Sequence, residues 1–144
     1  MELSKAIRTK YFQLLDGQVS FNSSVVPVFD AYAIPDGVTY PYILLSSQTS
    51  NQLQIKRCKR YNASILIDIV TGGADPIGRS DAEDIAEQIE NIVNPDTFID
   101  PDLSFNGYQL GNTTREGDND LSDKNGLYYI FRKLLTYSFL AVKL

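Results

Sequence analysis

The sequence predicts an α+β fold, in which a mostly antiparallel sheet of about five strands carries two helices on one face. Two segments, 3–15 and 80–93, place apolar residues at helical spacing, and several other segments are runs rich in β-branched and aromatic residues. Most of these runs follow one another without an intervening helix, which favours antiparallel pairing. At 144 residues the chain has the length of one domain, spanning 1–144.

An apolar stripe predicts the first helix over 3–15. Its members are Leu3, Ile7, Tyr11 and Leu14. Strands are then predicted over 24–29, where Pro27 marks a sheet edge or a bulge, and over 41–47. The polar and then basic segment 48–60 is either a loop or a protruding hairpin.

The clearest strand is predicted over 61–71. Alternating isoleucines form one of its faces, namely Ile65, Ile67 and Ile69. Leu66 and Val70 lie on the other face, and two apolar faces indicate a central strand. Asp68 lies on that second face and therefore needs a partner or water.

The second helix is predicted to begin at Ser80, because Glu83 follows three residues later in the pattern of a capping box. Its buried stripe is formed by Ile85, Ile89, Ile92 and Val93, and Ala82 and Ala86 lie near it. After the helix we expect a short strand over 98–99 and a longer strand over 103–110.

The C-terminal part is predicted to be a polar, acidic loop over 111–126 followed by a strand-like segment over 127–144. Eighteen residues at about 3.3 Å each would extend roughly 60 Å, so we expect a bend, a bulge or a change of partner strand near 133–136. Apolar residues occupy both faces of this segment, and the surplus would be covered by the helices or by a neighbouring subunit. Three cations argue against a membrane-spanning helix here: Arg132, Lys133 and Lys143.

Composition argues against several classes of function. The formal net charge is −5, whereas a general nucleic-acid binder needs a basic face to neutralise phosphates. The chain has no histidine and shows no nucleophile–base pattern, so we expect neither an enzyme nor a cofactor or metal site. Asp118 and Asp120 begin like a calcium loop, but Asp123 stands where that loop requires glycine.

The order of these segments resembles the phage tail terminator, or tail-completion, family, whose members are small neck-ring virion proteins with an α+β fold. The resemblance covers most of the chain and depends on the combination of several short phrases. These are the opening helix from Leu3, the phrase Val26-Pro27-Val28-Phe29-Asp30-Ala31, the phrase Pro41-Tyr42-Ile43-Leu44-Leu45, the strand 63–69 with a glycine-containing break after it, and the helix 80–93.

The resemblance implies a structural virion protein that forms a ring at the head–tail junction, caps the tail tube and joins it to the neck connector. Its partners would be further copies of itself in a hexamer, or alternatively a dodecamer, together with the tail tube protein and the head–tail connector. DNA would pass through the ring without specific binding. The protein would lie in the tail or neck of a virion assembled in the host cytoplasm, with no membrane partner.

Two alternatives to a tail terminator stay open. The first is another neck-ring or adaptor protein of a phage. The second is a small non-enzymatic protein-binding module that acts as a monomer or a dimer.

Two charged segments are the candidate protein-interface sites. The basic run would dock to an acidic partner and consists of Lys56, Arg57, Lys59 and Arg60. The alternatives for this run are a solvated segment that flanks a hydrophobic strand, and contact with DNA. The acidic residues of the 111–126 loop would line or rim a ring surface, and they are Asp118, Asp120 and Asp123.

Overall fold

The computed structural model describes residues 2–30, 35, 37, 39–55, 58–73, 78–95, 107–125 and 128–144. Two helices and seven strands lie within these residues. The helices are α1 (Leu3–Leu15) and α2 (Gly78–Val93). The strands are β1 (Ser20–Phe21), β2 (Ser24–Val25), β3 (Val28–Asp30), β4 (Tyr42–Ile55), β5 (Cys58–Gly73), β6 (Tyr108–Asn125) and β7 (Tyr128–Lys143).

Five strands form the main sheet in the order β3-β4-β5-β7-β6, and β1 pairs with β2 in a separate ribbon. β3 is parallel to β4, and every other neighbouring pair in the main sheet is antiparallel. The predicted α+β class with a mostly antiparallel sheet is therefore confirmed. The predicted number of about five strands is too low, because the described residues contain seven. The two-residue strands of the ribbon are too short to leave a periodic pattern in the sequence.

Both helices lie on the same face of the main sheet, as predicted. α1 packs over β3 and β4, and α2 packs over β5 and β7. The core between helices and sheet contains Tyr11 and Tyr137, which are both fully buried. The Tyr11 ring stacks on Phe139 of β7 with the ring centroids 6.0 Å apart. Neither of the described helices combines the length and the apolarity that a membrane crossing requires.

Four long strands form two hairpins that point to opposite ends of the sheet. β4 and β5 pair as far as Ile55 opposite Cys58, and β6 and β7 pair as far as Asn125 opposite Tyr128. Because β5 and β7 are antiparallel neighbours, the ends at which the two hairpins turn lie far apart. Of the two interpretations of 48–60, the hairpin is the correct one.

The predicted loop over 111–126 is wrong, because residues 111–125 belong to β6. This segment pairs with β7 along its length, interrupted by irregularities between Gly111 and Thr114 and between Arg115 and Gly117. β6 lies at the edge of the sheet, so its polar side chains reach solvent or α2. The polar sequence of β6 has a low strand propensity, and its pairing with the apolar strand β7 outweighs this.

Three smaller expectations differ from the structure. α2 begins at Gly78, so Ser80 lies inside the helix and is not its N-cap. β7 runs unbroken over Tyr128–Lys143, and the irregularities expected near 133–136 occur in its neighbour β6. The predicted strand over 24–29 is divided into β2 and β3 around Pro27. The predicted short strand over 98–99 lies outside the described residues.

Candidate interaction surfaces

The face of the main sheet opposite the helices carries a groove of about 610 Å³, here called the helix-free groove. Its lining consists of Tyr40, Tyr42, Leu44, Ser46, Leu66, Asp68, Val70, Leu121, Ser122, Ile130 and Arg132. Tyr40 and Tyr42 stack at one wall with their ring centroids 5.6 Å apart. A Cβ at Gly72 would lie 3.0 Å from the Tyr40 ring, so glycine at this position lets the ring approach β5.

An ion pair crosses the floor of the helix-free groove. Arg132 Nε donates to both carboxylate oxygens of Asp68, at 3.3 Å and 3.1 Å, and Arg132 Nη2 also bonds Asp68 Oδ2. Asp68 is only 4% exposed, whereas the Arg132 side chain is 46% exposed. Hydrogen bonding to Asp68 raises the pKa of Arg132 above its ordinary value. Arg132 is thus the partner that the sequence required for Asp68.

Aliphatic side chains extend the helix-free face beyond this groove. Leu134, Leu140 and Val142 of β7 are half-buried there, and no described helix packs over them. The two faces of β7 are therefore not equivalent, since Leu135 and Tyr137 on the helix side are fully buried. A half-buried aliphatic and aromatic surface with one neutralised ion pair suits protein contacts.

A second group of side chains joins α2 to the acidic strand, and we call it the α2–β6 seam. It consists of Glu90, Arg115, Asp118, Asp120 and Lys133. Lys133 Nζ lies 3.1 Å from Asp118 Oδ2 and 3.3 Å from Asp120 Oδ1. Arg115 Nη2 lies 2.9 Å from Asp118 Oδ2, and Arg115 Nη1 lies 3.8 Å from Glu90 Oε2. The seam neutralises much of the charge that the sequence concentrates in this strand.

Tyr137 anchors the seam to the core. Its side chain is fully buried, and its hydroxyl donates a hydrogen bond to Glu90 Oε2. Burial is the main cause that raises the pKa of Tyr137 far above its ordinary value, and the Glu90 carboxylate adds to it. The phenol therefore stays protonated at neutral pH and remains a donor to Glu90.

The ion pairs of the α2–β6 seam are expected to contribute less to folding stability in acid. The hydrogen bond from Lys133 lowers the pKa of Asp118 below its ordinary value of 3.8. Because the pKa of Asp118 is lower in the folded state than in the unfolded state, the contribution of its carboxylate to folding stability is fully present above about pH 3.8. This contribution is lost as the pH falls through the folded-state pKa. We expect urea midpoints of the wild type to fall more steeply below this pH than those of Lys133→Met, in which Asp118 keeps only Arg115. Equal pH slopes in the two proteins would contradict this role of Lys133.

The structure describes only part of the predicted basic run. Lys59 is exposed and Arg60 is half-buried near the start of β5, and Arg60 Nε is buried with no hydrogen-bond partner among the described residues. Lys56 and Arg57 lie outside the described residues, and Cys58 is described by its backbone alone. The proposal that this run docks to a partner stays a prediction.

The predicted acidic residues lie on a strand instead of a loop. Asp118 and Asp120 are exposed, and both pair with Lys133. Asp123 continues the strand opposite Ile130, and its side chain is not among those described. Within the described residues, no group of three potential metal-ligating side chains comes together. A role of these acids at a ring surface stays a prediction.

Sequence reasoning missed two cations that organise these surfaces. Arg132 and Lys133 are adjacent in an otherwise apolar strand, so they point to opposite faces of the sheet. Each of them meets an acid on its own face, Asp68 for Arg132 and Asp118 for Lys133. The sequence did contain a signal for this role: two adjacent cations in an apolar strand point to opposite faces, and each needs an acidic partner on its own face.

Comparisons with known proteins bear on the fold. No family model and no curated protein matches the chain. Among solved structures, a chain in the "Virion of native gene transfer agent (GTA) particle" is similar, with a TM-score of 0.56 and 14% sequence identity. The match covers 96% of this chain and 94% of that chain. This protein therefore shares its fold, over nearly the whole length of both chains, with a component of a virion.

Proposed function

We propose that the chain is a structural protein of a virion, and that its copies form a closed ring at the head–tail junction. The ring would cap the tail tube and join it to the neck connector. The observation that carries the virion assignment is the fold that the chain shares with a virion component over 96% of its length. The ring and its position are supported by the sequence phrases that resemble tail terminators.

The mechanism would depend on shape and surface. The hairpins β4–β5 and β6–β7 turn at opposite ends of the sheet, so one subunit can meet different partners at its two ends. The β4–β5 end carries Lys59 and Arg60 of the basic run, which would dock to an acidic partner. The helix-free face would supply further contacts, because its aliphatic and aromatic side chains are only half-buried.

The first test is negative-stain electron microscopy of the purified protein, with the native mass measured on the same sample over a range of concentrations. Closed rings with a central hole would support the proposal and give the copy number. If the protein stays monomeric, purified tail tubes should recruit it to their ends. A monomer that no tube recruits would contradict the proposal and favour the alternative of a small protein-binding module.

Docking to the tube or connector is expected to depend on the basic run. A variant with Lys56, Arg57, Lys59 and Arg60 all changed to alanine should bind the acidic partner on the order of tenfold more weakly, because the rim charges that steer the encounter are removed. Co-sedimentation with tail tubes or connectors at increasing salt measures this binding. Arg79→Ala is the control, since Arg79 is an exposed cation on α2 (side chain 73% exposed). Unchanged binding of the four-alanine variant would contradict the docking role.

A further inference from the structure

Charge is segregated between the two helices. α1 contains Lys5, Arg8 and Lys10 and has no acidic residue over Leu3–Leu15. α2 contains five acidic residues and one arginine over Gly78–Val93. The acids of α2 are Asp81, Glu83, Asp84, Glu87 and Glu90. At neutral pH one helix is therefore positive and the other strongly negative.

α1 packs over β3 and β4 at one side of the sheet, whereas α2 packs over β5 and β7 and reaches the other edge strand, β6, only with its side chains. α1 is tied to the edge strand β3, since Arg8 Nε lies 3.5 Å from Asp30 Oδ2. α2 is tied to the other edge strand, β6, by the contact of Glu90 with Arg115 and by Arg79 Nη2, 4.0 Å from Asp120 Oδ2. β6 itself contains four acidic and two basic residues. One side of α2 thus faces the edge strand β6, whose Asp118 and Asp120 are paired with Lys133, and the positive helix lies over the far side of the sheet.

A cleft opens at the positive edge, and we call it the α1–β3 cleft. It has a volume of about 380 Å³ and is lined by Lys5, Arg8, Thr9, Phe12, Asp30 and Leu45. Lys5 is exposed, and Phe12 is 39% exposed although it is a large apolar side chain. The cleft therefore offers Lys5 and the Arg8–Asp30 ion pair beside the apolar ring of Phe12. Its complement is a surface with exposed acids.

The negative edge of the same molecule presents exposed acids. Leu121 of β6 is 51% exposed, but it points away from α2 and lines the helix-free groove, whereas its neighbour Asp120 points to the α2 side. Glu83 and Glu87 are exposed on α2 above this edge. Open strand pairing at β6 is disfavoured, because charged side chains and the irregularities near Gly111 and Gly117 protect the edge. Contact at this edge would instead be made by side chains.

We propose that the α1–β3 cleft of one copy receives the α2–β6 edge of a second copy, namely the surface of α2 that carries Glu83 and Glu87 beside β6. This inference rests on the proposed ring and identifies the surfaces that meet in it. Complementary surfaces at opposite edges of one chain give a head-to-tail contact, which closes into a ring when the rotation fits. Because each copy has a net charge of −5, two copies repel each other overall. The positive cleft therefore favours the relative orientation in which it meets the acids of the second copy.

Charge reversal tests the two surfaces separately and together. Lys5→Glu with Arg8→Glu should raise the concentration needed for half-maximal ring assembly on the order of tenfold, and Glu83→Lys with Glu87→Lys should do the same. A variant that carries all four substitutions should recover assembly, because the complementarity is restored with its signs exchanged. Lys143→Glu is the control, because it reverses an exposed cation that lies on neither surface.

The readouts distinguish failure of the interface from failure of the ring. Native mass and electron microscopy report assembly at each concentration, circular dichroism reports folding, and added salt should weaken the wild-type ring by screening the contact. If the wild type forms rings and the reversed variants assemble equally well, the proposed interface is wrong and the ring stands. The interface is also wrong if the fourfold variant remains folded and does not recover assembly. If the wild type assembles neither alone nor on tail tubes, the ring and the interface are both wrong.

Discussion

Arg132→Ala is expected to lower the free energy of unfolding by about 3 kcal/mol. Asp68 is 4% exposed, so the substitution leaves a nearly buried carboxylate without the guanidinium that neutralises it. The value lies at the low end for a broken buried pair, because the Arg132 side chain is 46% exposed and water can partly replace it. Urea denaturation monitored by circular dichroism measures the change from the midpoint and the slope.

A paired replacement separates the ion pair from the packing of Arg132. Asp68→Leu combined with Arg132→Met removes both charges and fills a similar volume, so its stability should return to near the wild-type value or exceed it. A combined variant that is less stable than Arg132→Ala would show that the charges themselves are needed. Wild-type stability of Arg132→Ala would show that Asp68 does not depend on this partner.

Ile67→Ala is expected to cost about 2–5 kcal/mol of folding stability. Ile67 is fully buried at the centre of β5, directly opposite Leu45 of β4 and Leu135 of β7. Truncation removes buried apolar surface and leaves a cavity under the helices, which the surrounding strands can fill only in part. Domains of this size have a total stability of about 5–15 kcal/mol, so the folded population at 37 °C should fall measurably.

Leu121→Ala is the control for this truncation. The Leu121 side chain is 51% exposed, so removing it should change the stability by no more than about 0.5 kcal/mol. Equal losses in Leu121→Ala and Ile67→Ala would contradict the assignment of the core to the helix side of the sheet. The urea slope should stay constant in both variants if only the folded state is affected.

The sequence predicted those elements in which the residues of the buried face repeat with the period of a strand or a helix. The isoleucines of β5 and the stripe of α2 alternate with the period of their element, and all three isoleucines, together with Ile85 and Ile89, are fully buried. The bounds of α1 were also predicted, but its buried face ends with Leu15 and not with the predicted Leu14, which is half-buried. The requirement of a partner for Asp68 was also readable, because a carboxylate on an apolar strand face must be neutralised.

The parts that could not be predicted depend on neighbours that are distant in sequence. β6 has few apolar residues, and its strand form follows from pairing with β7 and from the contacts of Asp118 and Asp120 with Lys133. The parallel pairing of β3 with β4 joins two strands that are separated by residues 31–41, and it leaves no periodic signal. The α1–β3 cleft likewise depends on the angle at which a helix crosses an edge strand, which composition does not encode.

The ladder between β5 and β7 has a mechanical consequence. β5 starts at the turn of one hairpin and β7 at the turn of the other, and fourteen residue pairs join them from Arg60–Val142 to Gly73–Tyr129. A force that pulls the two ends of the subunit apart along the strands loads this ladder in shear. Hydrogen bonds in an antiparallel pair lie perpendicular to the strands, so the whole row must yield together, whereas peeling would break one bond at a time. The subunit is therefore built to resist tension along its long axis more strongly than lateral opening.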